Sequence, residues 1–467
     1  LPASAVAALV DRDLAGAQPA FDQLVAAHLV MRGGRDGSGK PTWRMHDLLR
    51  AYAVERAVGL TDTRAAVTRL LDHYCRAVRR AARALFPHDR ATLDDGPGAR
   101  FDATGPGPAG PDAAGQWLDA HRANIVASAT HAAAHGWAEH AVALSTALWR
   151  YLEVGGHYQD GLAVHAGAAR AARTAADKAH VLTNLGSTHW CLGDHRTARR
   201  CFDRSLAAFR AAGDTAGQAR ARARLALVHE RLGDYPQALE HFQAALAGYR
   251  QAGNRHGVGA QLVNLGALQL RLGDHAAAVA NQAEAAEIFA ALGDRRLLGY
   301  ALDNLGAAER RRGDHEAALR HLDEALAACL AAGDRGGEGS AHAAIGAAYQ
   351  RLGRHREATE HLDRALTIAD EINEGSLRLE ALNTVGECWT ARGRPADAIA
   401  AHRGAQDLAK RNGDRYEHAR ALAGLVAALA AAGRADDADA YRRRARVAYR
   451  KLGVPDLDEA EFSTARR

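Results

Sequence analysis

Residues 271–314 read RLGDHAAAVANQAEAAEIFAALGDRRLLGYALDNLGAAERRRGD, and their punctuation decides the fold. Gly273, Gly293 and Gly313 stand 20 residues apart. Outward from this stretch the spacing holds. One series runs Gly193, Gly233, Gly273, Gly313, Gly353, Gly393, Gly433, and a second lies midway at Gly213, Gly253, Gly293, Gly333, Asn373, Gly413, Gly453. Glycine, and asparagine next best, tolerates the left-handed backbone that ends a helix. A breaker every 20 residues therefore predicts helix, turn, helix, turn, seven times over. Such an array is a solenoid, an architecture that binds partners far more often than it performs chemistry.

Inside the array the small positions align. Ala198, Ala238, Ala278, Ala318, Ala358, Ala398 and Ala438 let neighbouring helices approach closely. Leu185, Leu225, Leu265, Leu305, Ile345, Val385 and Leu425 supply the core position of the preceding helix, and Gly186, Gly266, Gly306, Gly346 and Gly386 follow it. Phe202 and Phe242 give way to Leu322 and Leu362, then to His402 and Arg442, as a solvent-facing last repeat requires. Asp194, Asp234, Asp274 and Asp314 sit at second-helix N-caps, and Pro236 and Pro395 suit a first turn.

The 467-residue chain is 48% hydrophobic, much of it alanine, with only 5% aromatics, which points to closely packed helices. Its formal charge of +5 is too modest to argue for nucleic acid by itself. No apolar run is long enough to span a membrane, no leader pattern opens the chain, and a cytoplasmic setting is expected. Leu1 in place of methionine suggests a fragment or a processed chain. Cys75, Cys191, Cys201, Cys329 and Cys388 form no CxxC pair and read as small hydrophobes in a reducing compartment.

Residues 1–60 have another texture. A short helix with Ser4 as a candidate cap, a helix ending near Phe21–His28, a hairpin from Leu29-Val30-Met31 through Pro41–Arg44, and a helix over 46–57 outline a small winged-helix domain with its wing at 32–42. An arginine-rich connecting helix is expected over 61–86, a mobile Pro/Gly-rich linker over 87–115, and an irregular helical leading repeat over 116–175. Seven regular repeats then occupy 176–453, followed by a tail at 454–467.

Leucine and glycine mid-helix, alanine after the turn and a bulky residue four positions on resemble the tetratricopeptide repeat (TPR). The 40-residue period exceeds the family's usual length of about 34 and is similar to the extended repeats of kinesin light chains. The resemblance covers roughly 177–453 and implies an all-α fold, a right-handed TPR superhelix of helix–turn–helix repeats behind the winged helix. It further implies that first helices line the concave face, where Asn184, Asn264 and Asn304 would clamp a peptide backbone. Solvated asparagines are the plainer alternative. Arg231, Arg271, Arg311 and Arg351 form a second ladder near first-helix C-termini. They fit an acidic partner, though cations there also offset the helix dipole. Interspersed acids and scarce stacking aromatics argue against nucleic acid along this face.

The 24 histidines recur with the repeat and not with a ligand geometry, so no metal site is expected. No GxSxG, HExxH or P-loop occurs, and Gly34–Lys40 has its glycines misplaced for one. An enzyme active site is not expected.

Met45-His46-Asp47, with Trp43-Arg44 before it and Leu48-Leu49-Arg50-Ala51-Tyr52-Ala53 after, resembles the end of an NB-ARC nucleotide-switch module. Trp117-Leu118-Asp119-Ala120-His121-Arg122-Ala123-Asn124-Ile125 is similar to a segment preceding the repeats of bacterial STAND regulators (signal-transducing ATPases with numerous domains), including SARP-type antibiotic regulators. His121 departs from the acidic residue of that pattern. The resemblance implies that His46 contacts the β-phosphate of ADP, with Asp47 ordering the helix start, while the P-loop that would hold ADP or ATP is absent from this chain. No cofactor is therefore expected for the chain alone; the N-terminal nucleotide-binding module of the same polypeptide would be a partner. The candidate DNA-recognition helix, residues 17–28, carries Asp22 and no arginine or lysine, so direct DNA contact is not expected.

Together these readings predict the sensor region of a STAND-type, transcriptional regulator, whose repeats bind a protein, peptide or small-molecule signal and whose winged helix couples that signal to an ADP/ATP switch. A standalone TPR adaptor or peptide receptor is the alternative.

Overall fold

The computed structural model describes residues 2–35, 41–57, 62–87, 93, 96–101 and 110–454. It divides into two compact units, 1–217 and 218–467, so the boundary falls inside the array and not at its start.

In the first unit, helices α1 (Ala3–Leu9) and α2 (Leu14–Ala26) precede strands β1 (Met31–Arg35) and β2 (Pro41–Arg44), then α3 (Asp47–Ala57). The strands pair antiparallel, Met31 opposite Arg44 and Arg32 opposite Trp43. This order is the one expected for residues 1–60, while 36–40, most of the expected wing, lie outside the described residues. Pro2 and not Ser4 takes the N-cap of α1, leaving Ser4 inside the helix.

The long α4 (Thr63–Leu85) packs against α5 (Pro111–Ala134), α6 (Ala138–Val154) and α1. The expected linker is shorter than 87–115, because Pro111 opens α5 at the position where its missing N–H costs nothing. Two of its described residues are also packed down: Leu93 and Phe101 are buried in the core with Tyr74, Val78 and Leu144. Apolar side chains in a Gly/Pro-rich stretch gain more from burial than the chain loses by ordering. After α7 (Tyr158–Ala171), the regular array begins with α8 (Ala175–Cys191), α9 (His195–Ala212) and α10 (Thr215–Arg231), the last crossing into the second unit.

The second unit continues as α11 (Tyr235–Gln251), α12 (Arg255–Leu272), α13 (His275–Leu292), α14 (Arg295–Arg312), α15 (His315–Ala332), α16 (Arg335–Arg351), α17 (His355–Glu371), α18 (Gly375–Ala391), α19 (Pro395–Asn412), α20 (Arg415–Ala431) and α21 (Ala435–Leu452). The chain is thus all-α, with one two-stranded sheet among the described residues. Breaker glycines have φ between 65° and 87°, and Asn373 adopts φ 51°. At most junctions the next residue turns back to cap: Asp294 accepts the N–H of Leu297 at 3.0 Å, and Asn254 that of Gly257 at 2.8 Å. Contrary to expectation, Asp234 makes no capping bond, its carboxylate lying 3.1 Å from His229 instead, and Arg354, Arg394 and Arg434 do not cap either. First helices are therefore capped more regularly than second helices.

The seven aligned alanines are at most 2% exposed, so they do sit at the helix contacts. At Gly306 a Cβ would lie 2.5 Å from Leu322, which explains why the position after the core residue is glycine in five of the repeats. No helix among the described residues is long and apolar enough to cross a membrane.

Candidate ligand-binding groove

The second unit closes on itself. Its first turn, after α10, meets the helices at its end: a Cβ on Gly233 would stand 2.9 Å from Leu452, and Arg415 donates to the Leu232 carbonyl at 2.6 Å. Tyr235, Ala238 and Phe242 share one apolar core with Ala419, Tyr449 and Leu452. The concave faces of the first helices are thereby wrapped round a common interior.

The arginine ladder divides by role. Arg231 donates to the Asn412 carbonyl at 2.7 Å and stands 3.7 Å from Asp414. Arg271 pairs with Glu230 at 2.5 Å and lies over the Tyr416 ring at 5.2 Å. Burial opposes the Arg271 charge, yet Glu230 holds its pKa above the ordinary value; burial in turn pushes the Glu230 carboxyl up against the pull of Arg271. These two arginines fasten the closure. Arg311 and Arg351 are also engaged, and both belong to the electrostatic surroundings of Arg310.

The asparagine ladder divides too. Asn184 belongs to the first unit, where it is buried and donates to the Ser145 carbonyl at 3.4 Å. Asn264 and Asn304 are half-buried on α12 and α14, with side-chain amides that form no hydrogen bond with a described residue.

The interior also holds charges that the ladders do not contain. Asp303 and Arg310 lie seven residues apart on one face of α14, two turns and about 10 Å along its axis. Burial and then Glu380 push Asp303 up to about 7, only partly offset by Arg310. Burial, then Arg311, brings Arg310 down to about 10, with Arg420 and Arg351 adding to it. The Oδ1 of Asp303 and the Nε of Arg310 are buried without a hydrogen-bond partner. Beside them Arg420 is almost wholly buried, bonded to Glu387 at 3.0 Å and to the Thr384 hydroxyl at 3.1 Å. Although burial opposes its charge, Glu387 is held well below the usual carboxylate range by Arg420 and Arg311. Glu380 reaches solvent at its edge, yet burial and then Glu417 raise its carboxyl against the pull of Arg420.

Sequence reasoning missed Asp303 and Glu387 because each of these charges occurs in one repeat only. The equivalents of Asp303 are Thr183, Ala223, Val263, Ala343, Asn383 and Ala423; those of Glu387 are Ser187, Leu227, Ala267, Ala307, Ala347 and Ala427. A single charge where the repeat is otherwise uncharged was the available signal. Chemically, the interior offers an acidic position, a cation-rich position and two free amides, a set suited to holding a polar, main-chain-bearing ligand.

In the first unit His46 stands exposed immediately before α3, its Nδ1 accepting the Leu48 N–H at 3.4 Å. Asp47 pairs with Arg50 at 3.4 Å on the surface. His121, expected to stand where an acid would, is buried edge-on against Trp117 at 4.9 Å. Among the described residues no cluster of three histidine, cysteine or carboxylate side chains could hold a metal.

The tetratricopeptide repeat family model matches residues 177–251, 258–331, 297–371 and 337–405, so the array is built of tetratricopeptide repeats. Curated protein sequences give no match. Among solved structures, a Rap protein complexed with Competence and Sporulation Factor is 13% identical, with TM-score 0.55, over 71% of this chain and 98% of that one. The apo quorum sensor NprR from B. thuringiensis is 12% identical, with TM-score 0.51, over 71% of this chain and 99% of that one. A STAND protein with a tetratricopeptide repeat sensor from Pyrococcus horikoshii is 13% identical, with TM-score 0.55, over 96% of this chain; the chain spans 60% of that protein. At these identities the likeness is one of fold.

Proposed function

With tetratricopeptide repeats as the premise, we propose that this chain is the sensor region of a STAND-type regulator in the cytoplasm. Its second unit takes a protein or peptide signal in the closed concave interior, without catalysis. The carrying observation is that Asp303, Arg310, Asn264 and Asn304 present polar atoms there that the fold leaves unmatched. The Asp303 Oδ1 and Arg310 Nε atoms are buried without partners, which is costly, and a bound main chain offers an N–H to the first and a carbonyl to the second. Two neighbours of the same fold are, by description, a complex with Competence and Sporulation Factor and a quorum sensor, and a third carries its repeats on a STAND protein.

Residues 1–57 then couple the signal to a nucleotide module elsewhere in the polypeptide, with His46 as the phosphate contact and ADP or ATP as the switch ligand. The exposed His46 at a helix start suits an anion, since the first-turn N–H groups and the helix dipole favour one. Transcription is the output this arrangement serves in the regulators it resembles. A signal shifts such a switch only by binding its two states unequally.

A random-sequence peptide library passed over the immobilised chain tests the groove. Retained peptides should be released by Asn304→Ala combined with Arg310→Gln; equal retention on both proteins would remove the groove from the account. In a polypeptide that also carries the P-loop module, His46→Ala should weaken ADP retention, and unchanged retention would end that role.

A further inference from the structure

From α14 onward, the groove between the two helices of a repeat is filled by the first helix of the next. Thus α20 packs on both α18 and α19, and α18 on both α16 and α17. The corresponding groove between α20 and α21 is open. It measures about 530 Å³ and is lined by α20 and α21 alone. Leu422, Ala440, Val447, Ala448 and Leu452 form its floor, and Val447 is 49% exposed.

Its rim has one sign of charge. Arg415, Arg443, Arg444 and Lys451 line it, and no carboxylate does. Elsewhere along these turns basic residues are neutralised: Arg434 pairs with Asp437, and Arg442 with Asp439. Arg443, Arg444 and Lys451, which face the groove, are ion-paired with no described residue. His418, also in the lining, has a buried Nε2 without a partner. Burial, then Lys410 and Arg444, holds that imidazole below its ordinary pKa, as a locally positive site would. An apolar, helix-wide floor between unneutralised cations selects its occupant by shape and by charge.

We propose that this groove docks an acidic amphipathic helix belonging to another protein, laid against α20 and α21 where a next repeat's first helix would lie. The occupant presents leucine- or phenylalanine-type side chains at i, i+3, i+4 and i+7 to Val447 and Leu422, with carboxylates flanking them toward Arg443, Arg444 and Lys451. The site is separate from the concave interior and does not depend on what binds there.

The test uses the full chain and a fluorescein-labelled peptide of about five helical turns with leucine and phenylalanine at that spacing and glutamate elsewhere. Two control peptides replace glutamate by lysine, or keep the composition and scatter the apolar residues. Fluorescence anisotropy should show saturable one-to-one binding of the acidic amphipathic peptide alone. Arg443→Glu with Arg444→Glu should weaken it by about tenfold or more and create binding of the lysine peptide. Val447→Asp should abolish both, with helical content by circular dichroism unchanged.

Equal binding of the scattered peptide, or indifference to the groove substitutions, would overturn the proposal. Two other occupants are read in the same series. Asp456→Asn, Asp458→Asn, Glu459→Gln and Glu461→Gln together neutralise the acidic stretch after the array. Binding that appears only in that variant would assign the groove to the chain's own segment and overturn the proposal. Concentration-dependent dimerisation in sedimentation velocity, lost with Val447→Asp, would assign it to a second copy and do the same.

Discussion

Asp303 and His402 are both withdrawn from water, and the sign of their linkage to stability is opposite. Asp303 has its pKa raised from 3.8 to about 7 by burial and Glu380, so the native chain holds this proton more tightly than the unfolded chain. Stability is therefore lost as pH rises from about 4 to about 7. The full shift corresponds to about 4 kcal/mol, and solvent in the half-buried groove reduces this to about 1–2 kcal/mol. Asp303→Asn should accordingly stabilise the protein by that amount at pH 8 and by nothing near pH 4, read as urea midpoints. A gain independent of pH would mean that the carboxyl is not the group responsible.

His402 is fully buried and lowered from 6.5 to about 4 by burial, with Arg420 adding to the effect and Glu387 opposing it. Here the unfolded chain binds the extra proton, so stability falls as pH drops from about 6.5 to about 4. Leucine occupies the equivalent positions 322 and 362, so His402→Leu is a substitution that the repeat already accommodates. The loss of stability between pH 7 and pH 4.5 should shrink by about 2.5 kcal/mol in that variant. An unchanged pH profile would show that the imidazole is not kept neutral by the fold.

At the scale of the helix, breakers and caps are the controlling parts. Gly273 ends α12 at φ 84°, a conformation that costs a residue with a Cβ about 1–2 kcal/mol. Gly273→Ala should lower stability by that amount, whereas Asn373→Gly, at φ 51°, should raise it by about 0.5 kcal/mol. Thermal unfolding of the two variants checks both, and a stabilising alanine at 273 would contradict the assigned role. These positions were legible because they recur: Gly273, Ala278 and Leu265 each repeat a demand that every helical pair makes. First-helix caps such as Asp294 recur more regularly than the second-helix series, which turns to arginine at 354, 394 and 434. Asp303 and Glu387 were illegible for the opposite reason. The repeat does not require them, so periodicity carries no trace of them, and only the meeting of non-adjacent helices gives them meaning. Leu93 and Phe101 were hidden likewise, since glycine and proline around them mark a linker while their side chains reach a core formed by residues far along the chain.

At the scale of the second unit, a linear array would hold together through neighbouring repeats alone. Closure adds a contact between ends that such an array lacks, and it carries both an apolar part, Gly233 on Leu452, and a charged part. The charged part is Arg231 with the turn at Asn412 and Asp414, and Arg271 with Glu230 beneath Tyr416. If this clasp fastens the ring, removing it must loosen two segments some 180 residues apart at once. Arg271→Ala should therefore speed amide hydrogen exchange both around 230–235 and around 412–416, without a comparable change in α15 to α17. The Arg271 side chain is 34% exposed and Glu230 17%, so solvent weakens the pair, and a double-mutant cycle with Glu230→Gln should give a coupling of about 1–2 kcal/mol. Faster exchange confined to α12 and its immediate neighbours would mean that the arginine serves its own repeat, and that the apolar contact alone keeps the ends together.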